Sequence, residues 1–430
     1  MGRSAYVFDP VLQPAFLARP QPSSSALAQC NGQWQIRKGL GVKTDPDLKL
    51  RKALEKQADR GNLRSLSPPG DGVDFYSNDY LGLSRSGELA RRIQLVLAQQ
   101  EQLPLGSTGS RLISGNSNLA EDLERQLANF HRAHAGLLFS SGYAANSGLF
   151  AAIAGLGDTL VMDELIHASA VDGARLSKAS RQVFPHNDPG ELASKLQSAR
   201  AASPDGAIFV GIESLYSMNG DFAPLAEMAA VCQQYDASLI VDEAHSNGLT
   251  GPHGAGSVVA MGLEDSIFAR VHTFGKGLGL HGAVVLGSRT LRDYLINFCR
   301  PFIFSTAPPA DSLLRIRAAY DLLPELDATR ERLSFLVRKF RKLTASSSGQ
   351  WLDSSSWIQS LVVPGNRQVL AAAAGLQDQG FCVKAIRAPS VRSGSERIRI
   401  CLHAFNTERE IEDLFTALEN SACTAISLQA

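Results

Sequence analysis

The sequence predicts an α/β fold in which a large mixed sheet lies between two layers of helices and a smaller C-terminal α+β domain follows. Three observations lead to this prediction. Short, strongly apolar segments alternate with helical segments between residues 106 and 309, which is typical of a parallel or mixed sheet covered on both faces. A long charged helical region begins after residue 310. A strand–helix–strand–strand–helix series comes next and predicts the second domain.

The 430 residues are enough for more than one domain. We predict an N-terminal extension over residues 1–50, partly irregular because it is rich in proline and serine. Residues 51–105 are expected to pack on the other domains. Residues 106–309 form the predicted large domain, and residues 310–430 form the small C-terminal domain.

The large domain is predicted to contain six strands, because each of these short segments is apolar and is bounded by turn or helix signals. They are Leu137–Phe139, Thr159–Met162, Ala207–Glu213, Leu239–Val241, Val271–Phe274 and Ala283–Leu286. Helices are predicted between them, including one that ends near Ala154 and one from His167 to Ser177. Ligands of such sheets bind at the carboxyl ends of strands, so residues at those ends are the site candidates.

The small domain is predicted from a second set of patterns. A charged helical region covers Leu313–Thr344. The segments expected to be strands are Ile358–Val363, Phe381–Ile386 and Arg397–Leu402, and those expected to be helices are Gln368–Leu376 and Thr407–Asn420. The last helix is amphipathic and predicts one face packed on the domain core.

Composition and charge exclude several classes of function. The 42 Lys and Arg residues balance 42 Asp and Glu residues, so neither nucleic acid nor an anionic membrane is an expected partner. No run of about 20 apolar residues predicts a membrane span. Six cysteines form no C-x-x-C pair, which indicates neither a disulfide framework nor a metal site. We expect a cytoplasmic protein, with a peroxisome or another organelle left open.

A lysine in a glycine-rich loop is the first indication of chemistry. Lys276 lies in the segment Thr-Phe-Gly-Lys-Gly-Leu-Gly, and glycines, which lack Cβ atoms, let a cofactor approach closely. Asp242 ends an upstream apolar strand. This pair suits pyridoxal phosphate, because a lysine forms the Schiff base and a carboxylate pairs with the protonated pyridine nitrogen.

Two other interpretations of these segments are weaker. Gly277, Gly279 and Gly282 match the dinucleotide-binding fingerprint, but no acidic residue follows at the expected distance. The sequence Asp-Glu-Ala-His at 242–245 resembles the metal-binding box of nucleic-acid-dependent ATPases. Such an ATPase needs an upstream phosphate-binding loop, and the segment Lys38–Thr44 departs from that pattern.

Further residues meet the needs of the same cofactor. Ser141, Gly142 and Tyr143 lie at a predicted strand-to-helix turn, where free backbone N–H groups bind phosphate; a plain glycine turn is the alternative. His167, at a predicted helix start, is a candidate to stack on the cofactor ring. Arg387, at a strand end before proline, is a candidate to grip an amino-acid carboxylate, although such arginines are often only solvated charges.

The order of motifs resembles the α-oxoamine synthases, a family of class II aminotransferase-like enzymes that depend on pyridoxal phosphate. The resemblance runs from about residue 50 to residue 418. It is carried by Ser77–Leu83, Gly106–Asn116, Ser141–Asn146, His167–Ser169, Glu213–Asp221, Val241–His245, Thr273–Lys276 and Ala385–Pro389. It implies a fold-type I transferase: a large mixed-sheet α/β domain and a smaller C-terminal α+β domain.

The resemblance also implies roles for residues at matching positions. Lys276 would be the Schiff-base lysine and the base that removes the Cα proton, and Asp242 would pair with the pyridine nitrogen. His245 would contact the phenolic oxygen, and His167 would stack on the ring. The residues that would line the cofactor and its phosphate are Ser141, Gly142, Tyr143, Ser217 and Thr273.

Substrate and subunit contacts are implied in the same way. Asn78 would lie near the substrate, Arg387 would hold the amino-acid carboxylate, and Arg64 would contact the far carboxylate of the acyl chain. The family forms homodimers with the site at the subunit boundary, so Thr306 would reach the partner's phosphate.

The implied activity is the condensation of L-alanine with a pimeloyl thioester, on CoA or an acyl carrier protein, to the amino ketone used in biotin biosynthesis. Another acyl thioester or amino acid, in lipid or secondary metabolism, is the first alternative. A partner subunit without catalytic activity is the remote alternative.

Overall fold

The computed structural model describes residues 45–427 except residues 67 and 69, and for residues 421–427 it describes the backbone alone. Two compact units divide the chain, Met1–Lys56 and Gln57–Ala430. The described part of the first unit lies mainly in helix α1 (Pro46–Asp59), in which no residue is buried. The predicted extension up to residue 44 lies outside the described residues.

The described residues form short strands of two to six residues each. They are β1 (Val73–Asp74), β2 (Ala135–Phe139), β3 (Thr159–Asp163), β4 (Ser180–Phe184), β5 (Ile208–Glu213), β6 (Ser238–Asp242), β7 (Ala269–Thr273), β8 (Ala283–Gly287), β9 (Ile358–Val362), β10 (Phe381–Cys382), β11 (Lys384–Ile386) and β12 (Arg397–Cys401).

Helices alternate with these strands. After α1 they are α2 (Gly87–Ala98), α3 (Asn118–Phe130), α4 (Gly142–Ile153), α5 (Ala168–Leu176), α6 (Pro189–Ala202), α7 (Leu225–Gln234), α8 (Ser257–Ala260), α9 (Arg289–Phe298), α10 (Arg300–Ile303), α11 (Ala310–Leu322), α12 (Asp327–Thr344), α13 (Asn366–Asp378) and α14 (Glu408–Ser427). None of the described helices is long and apolar enough to span a membrane.

The large sheet has seven strands in the order β2-β8-β7-β6-β5-β3-β4. β8 is antiparallel to both of its neighbours, and the remaining pairs are parallel. Strands such as β5 are buried along their whole length, because helices pack on both faces of the sheet. The predicted mixed α/β fold is therefore confirmed.

The C-terminal part contains a three-stranded antiparallel sheet, β11-β12-β9. Helices α12, α13 and α14 contribute buried apolar residues to the same core as this sheet. The N-terminal strand β1 pairs with β10 in parallel, and the backbone N–H of Ala404 donates to Tyr80 O at 2.8 Å. The segment that follows β1 is thereby held against the C-terminal sheet.

Three element predictions were wrong in detail. The helical region Leu313–Thr344 is two helices, because Pro324 lies in a short 3-10 turn between α11 and α12. The segment Phe381–Ile386 is two strands in different sheets, β10 with β1 and β11 with β12. Strand β4 was not predicted, because it is a partly exposed edge strand of mixed polarity rather than an apolar run.

The sheet brings residues from distant parts of the chain to one edge. Glu213 and Asp242 are the last residues of β5 and β6, and they are neighbours in the parallel register. β7 ends at Thr273 beside them, and Lys276 follows three residues later. Strands β5, β6 and β7 are parallel, so these groups meet at their common carboxyl edge.

Candidate active site

A cavity of about 260 Å³ lies at this edge of the large sheet. It brings together nine of the residues predicted from the sequence. They are Asn78, Ser141, Gly142, Tyr143, His167, Asp242, His245, Thr273 and Lys276.

The carboxylate of Asp242 is held by two donors. Asn146 Nδ2 donates to Asp242 Oδ2 at 2.6 Å, and the backbone N–H of Ala244 donates to Oδ1 at 2.9 Å. Both side chains are buried. These two donors fix the orientation of the carboxylate, so Asp242 presents it to the cavity in one position.

Lys276 lies in a tight loop between β7 and β8. The backbone N–H of Gly279 donates to Lys276 O at 2.9 Å, and Leu280 N–H donates to Phe274 O at 2.7 Å. Gly279 has φ of 65°, and a Cβ there would lie 2.4 Å from Ser84 N, so only glycine fits. Burial lowers the pKa of Lys276, Asp242 and Glu213 oppose this effect, and Arg399 adds to it. The net effect is a pKa below the usual value for lysine, which makes the free amine more accessible than in water.

The start of α4 faces the cavity. Ser141 caps this helix by accepting the backbone N–H of Ala144 at 3.1 Å. Gly142 is needed because a Cβ there would lie 2.4 Å from Thr273 Cγ2. Thr273 Oγ1 is buried and has no hydrogen-bond partner. The helix start and this free hydroxyl together form a place for an anionic group.

Two histidines line the cavity from different sides. His167 is the N-cap of α5, and its Nδ1 accepts the backbone N–H of Ser169 at 3.2 Å. His245 is buried, and its Nδ1 lies 2.8 Å from the hydroxyl oxygen of Tyr80. Burial lowers the pKa of both imidazoles, and for His167 the carboxylate of Asp242 opposes this effect. Both rings are therefore neutral near pH 7.

Four predicted residues lie outside this cavity. Ser217 lines a neighbouring groove, and its backbone O accepts from Arg399 Nε at 2.6 Å. Arg387 Nη1 donates to Gly61 O at 2.6 Å. Arg64 Nη2 donates to Ser390 Oγ at 3.2 Å. Thr306 is exposed and forms an isolated antiparallel bridge with Ser110.

Three residues that the sequence reasoning missed belong to the site. Asn146 lies one helical turn after Gly142 and contacts Asp242. Glu213 lines the cavity beside Asp242, and the backbone N–H of His167 faces its carboxyl group. Its position at a strand end was the available signal, the same one that identified Asp242.

Arg399 is the third missed residue. Its side chain is buried, and Nη2 donates to Asn78 Oδ1 at 3.0 Å. Within the described residues, no carboxylate lies at ion-pair distance from its guanidinium. A buried cation without an anion is costly, so this arrangement indicates an anionic ligand.

A groove of about 700 Å³ lies next to the cavity, and His167 lines both. Its walls combine apolar side chains, such as Ile166, Val171 and Met218, with the cations of Arg175 and Arg397. The groove has the chemistry to take an apolar chain with a charged end.

Comparisons with known proteins agree with this geometry. A family model described as aminotransferase class I and II matches residues 70–418. The 8-amino-7-oxononanoate synthase of Emericella nidulans is 44% identical over 394 residues, which cover 86% of this chain and 94% of the relative. The enzyme of the same name from Marinobacter nauticus is 38% identical over 81% of this chain and 87% of its own.

Solved structures show the same fold. Serine palmitoyltransferase of Sphingomonas wittichii superposes with a TM-score of 0.78 at 26% identity, covering 89% of this chain and 98% of that one. The S. paucimobilis enzyme, solved with a PLP–myriocin aldimine, gives 0.78 at 26%, covering 88% and 97%. The 8-amino-7-oxononanoate synthase of Francisella tularensis gives 0.68 at 26%, covering 82% and 98%.

The buried Glu213 makes stability depend on pH. Burial, and then the charge of Asp242, raise its pKa well above the ordinary value of 4.5. A carboxyl group with a raised pKa in the folded state contributes stability below its ordinary pKa and loses it as pH rises. Glu213→Gln removes this loss. We expect the Tm of the variant, relative to the wild type, to increase steadily between about pH 5 and 8.

Thermal unfolding across this pH range measures the effect. Glu331→Gln, at an exposed position on α12, is the matched control and should show no such trend. Parallel Tm curves for Glu213→Gln and the wild type would contradict a neutral Glu213.

Proposed function

The chain belongs to the class I and II aminotransferase family and groups there with the 8-amino-7-oxononanoate synthases, and on that premise we propose that it condenses L-alanine with a pimeloyl thioester in biotin biosynthesis. A carbon–carbon bond forms between the alanine Cα and the acyl carbon. CoA or a carrier thiol leaves, and the alanine carboxyl group is lost as CO2. The observation that supports this most is the combination of 44% identity to such an enzyme with one cavity containing Lys276, Asp242 and His245.

The residues of the cavity fit pyridoxal phosphate. The start of α4 and the unpartnered Thr273 Oγ1 suit the phosphate, and the anionic Asp242 suits a protonated pyridine nitrogen. Lys276 supplies the amine for the covalent attachment. When bound, this cofactor supplies an electron sink for the negative charge that develops at the substrate Cα.

Lys276 is proposed as the base of the reaction. The lowered pKa of Nζ makes the free amine, which can accept the proton from Cα, more accessible than for a lysine in water. The same Nζ returns a proton to Cα after CO2 has left. His167 is proposed to cover the cofactor ring, and His245 to contact its phenolic oxygen.

The alanine carboxylate has two candidate partners. The sequence pointed to Arg387, which is less buried and whose Nη1 donates to Gly61 O at 2.6 Å. Arg399 is better placed, because it is buried, contacts the cavity residue Asn78 and has no carboxylate of the described protein beside it. We therefore assign the alanine carboxylate to Arg399 and not to Arg387.

The neighbouring groove is proposed to take the acyl chain. Its apolar walls match the methylene chain, and Ser390 lines it. Arg64, predicted to contact the far carboxylate, donates to this same Ser390. The end of the acyl chain is therefore expected near the rim formed by Arg64 and Ser390.

We also propose that the protein works as a homodimer. Ile113 and Phe304 are 85% and 70% exposed, and their segments are joined by Ala307 N–H donating to Gly109 O at 3.0 Å. Exposed apolar side chains concentrated on adjacent loops mark an interaction surface. A second copy there would bring its Thr306 to the phosphate end of the cavity.

The cytoplasm is the proposed compartment. Cys232, Cys299, Cys382 and Cys401 are all free thiols, which suits a reducing environment. Microscopy of a tagged full-length protein tests this.

The substrates are tested by thiol release from the purified protein loaded with pyridoxal phosphate. L-Alanine with pimeloyl-CoA should give release, whereas glycine, L-serine, acetyl-CoA and palmitoyl-CoA should give at least about tenfold less, since a mismatched pocket costs at least 1.4 kcal/mol. Lys276→Ala should lose both the release and the visible absorbance. Release with palmitoyl-CoA and serine alone would instead favour the lipid alternative, the activity named for the structural neighbours.

The two arginines are separated by their effects on KM. Arg399→Gln should raise the KM for L-alanine about 10- to 100-fold, the usual cost of losing hydrogen bonds between charged groups. Arg387→Gln should change it by less than about threefold. Arg399→Lys, which keeps the charge, should fall between them. If Arg387→Gln raised the KM for L-alanine more than Arg399→Gln, the alanine carboxylate would be assigned to Arg387.

Dimerisation is tested by light scattering. Ile113→Glu combined with Phe304→Glu should convert the dimer to a monomer, because charges are disfavoured at an apolar interface core. Leu156→Glu, at another strongly exposed apolar position, is the control and should remain dimeric. A wild-type protein that is monomeric at micromolar concentration would contradict the proposal.

A further inference from the structure

Tyr80 connects two groups of the proposed active site. Its ring is fully buried, and its hydroxyl oxygen lies 2.8 Å from His245 Nδ1. Arg399 Nη2 donates to the same hydroxyl oxygen at 3.4 Å. Tyr80 lies in the motif Ser77–Leu83, and no role assigned above involves its hydroxyl group.

The hydroxyl proton of Tyr80 has two possible acceptors. Asn78 Oδ1 lies at 3.0 Å and His245 Nδ1 at 2.8 Å, and one proton cannot serve both. Asn78 Oδ1 already accepts from Arg399 Nη2 at 3.0 Å. His245 Nδ1 has no other described partner and is the nearer atom. Since Asn78 Oδ1 can accept two hydrogen bonds, the shorter contact decides, and we place the Tyr80 proton on the side of His245 Nδ1.

This assignment fixes the tautomer of His245. Burial keeps the imidazole neutral by lowering its pKa, so the ring carries one hydrogen. Since Nδ1 accepts from Tyr80, that hydrogen is on Nε2. His245 thus offers an N–H from a ring that lines the cavity.

We propose that Tyr80 is a positioning residue that links the substrate-carboxylate site at Arg399 to the hydrogen bond that His245 offers the cofactor. The inference rests on the proposed function. The guanidinium polarises the Tyr80 hydroxyl, the hydroxyl holds His245 in the Nε2–H tautomer, and Nε2–H stabilises an anionic phenolic oxygen of the cofactor. A carboxylate that binds Arg399 draws its charge away from Tyr80 and so changes this hydrogen bond.

The test is the visible spectrum of the loaded protein, in which the protonated and ionised forms of the phenolic oxygen absorb at different wavelengths. Tyr80→Phe removes the hydroxyl and retains the ring. We expect the ratio of the ionised to the protonated form to fall about tenfold, the factor that one ordinary hydrogen bond supplies. The change in this ratio on adding L-alanine should shrink as well.

Tyr320→Phe is the matched control. Tyr320 is also buried, and its hydroxyl lies 2.9 Å from His131 Nε2. The control should lose comparable thermal stability and keep the wild-type spectrum. A Tyr80→Phe spectrum identical to the wild type, before and after L-alanine, would overturn the proposal.

A second measurement does not depend on the variant folding. In ¹⁵N-histidine-labelled wild-type protein, the His245 signal, identified by its loss in His245→Gln, should show hydrogen on Nε2. Hydrogen on Nδ1 would overturn the assignment. Failure of the proposed function is distinguishable from both results, because it would appear as absent thiol release from L-alanine and pimeloyl-CoA in wild-type protein that retains the visible band.

Discussion

The site depends on placing ionised groups where water is largely excluded. An isolated buried ion costs several kcal/mol, and each ion here is compensated in its own way. Asp242 accepts from Asn146 and from the backbone of Ala244. Arg399 donates to Ser217 O and Asn78 Oδ1. For Lys276, burial shifts the pKa downward, which favours the uncharged amine more than water does.

This compensation explains why the site needs both sheets. Asp242 and Lys276 come from the large sheet, but Arg399 is on β12 of the C-terminal sheet. Its hydrogen bonds reach Ser217, which follows β5, and Asn78, which follows β1. Three separate stretches of chain therefore meet at one guanidinium. The relative position of the two sheets is tied to the group proposed to bind the substrate.

The sequence was sufficient for the parts of the site that local patterns encode. Asp242 ends an apolar strand, and Lys276 follows another in a glycine-rich loop, so both could be found from the local sequence alone. The alternating Arg-Ile-Arg-Ile of β12 was visible too. It predicts two arginines on one face, but their partners are about 180 and more than 300 residues away, and no local pattern reports such contacts.

Glu213 and Arg387 show two limits of predicting site residues from the sequence. Glu213 had the same strand-end position as Asp242, but no local pattern shows that the two acids lie side by side in the sheet. Arg387 had the right motif, and the structure places its guanidinium against the backbone carbonyl of Gly61. A motif identifies a residue, whereas its role also depends on its neighbours in space.

The charges of the cavity indicate what it accepts. The carboxylate of Asp242 and the guanidinium of Arg399 suit different partners. The protonated pyridine nitrogen of a bound cofactor would pair with Asp242, whereas Arg399 has no carboxylate of the described protein at ion-pair distance. The carboxylate of an amino acid supplies that anion at short range, where a low dielectric strengthens the attraction. The cofactor and the amino-acid substrate would thus each meet one of the two charged groups.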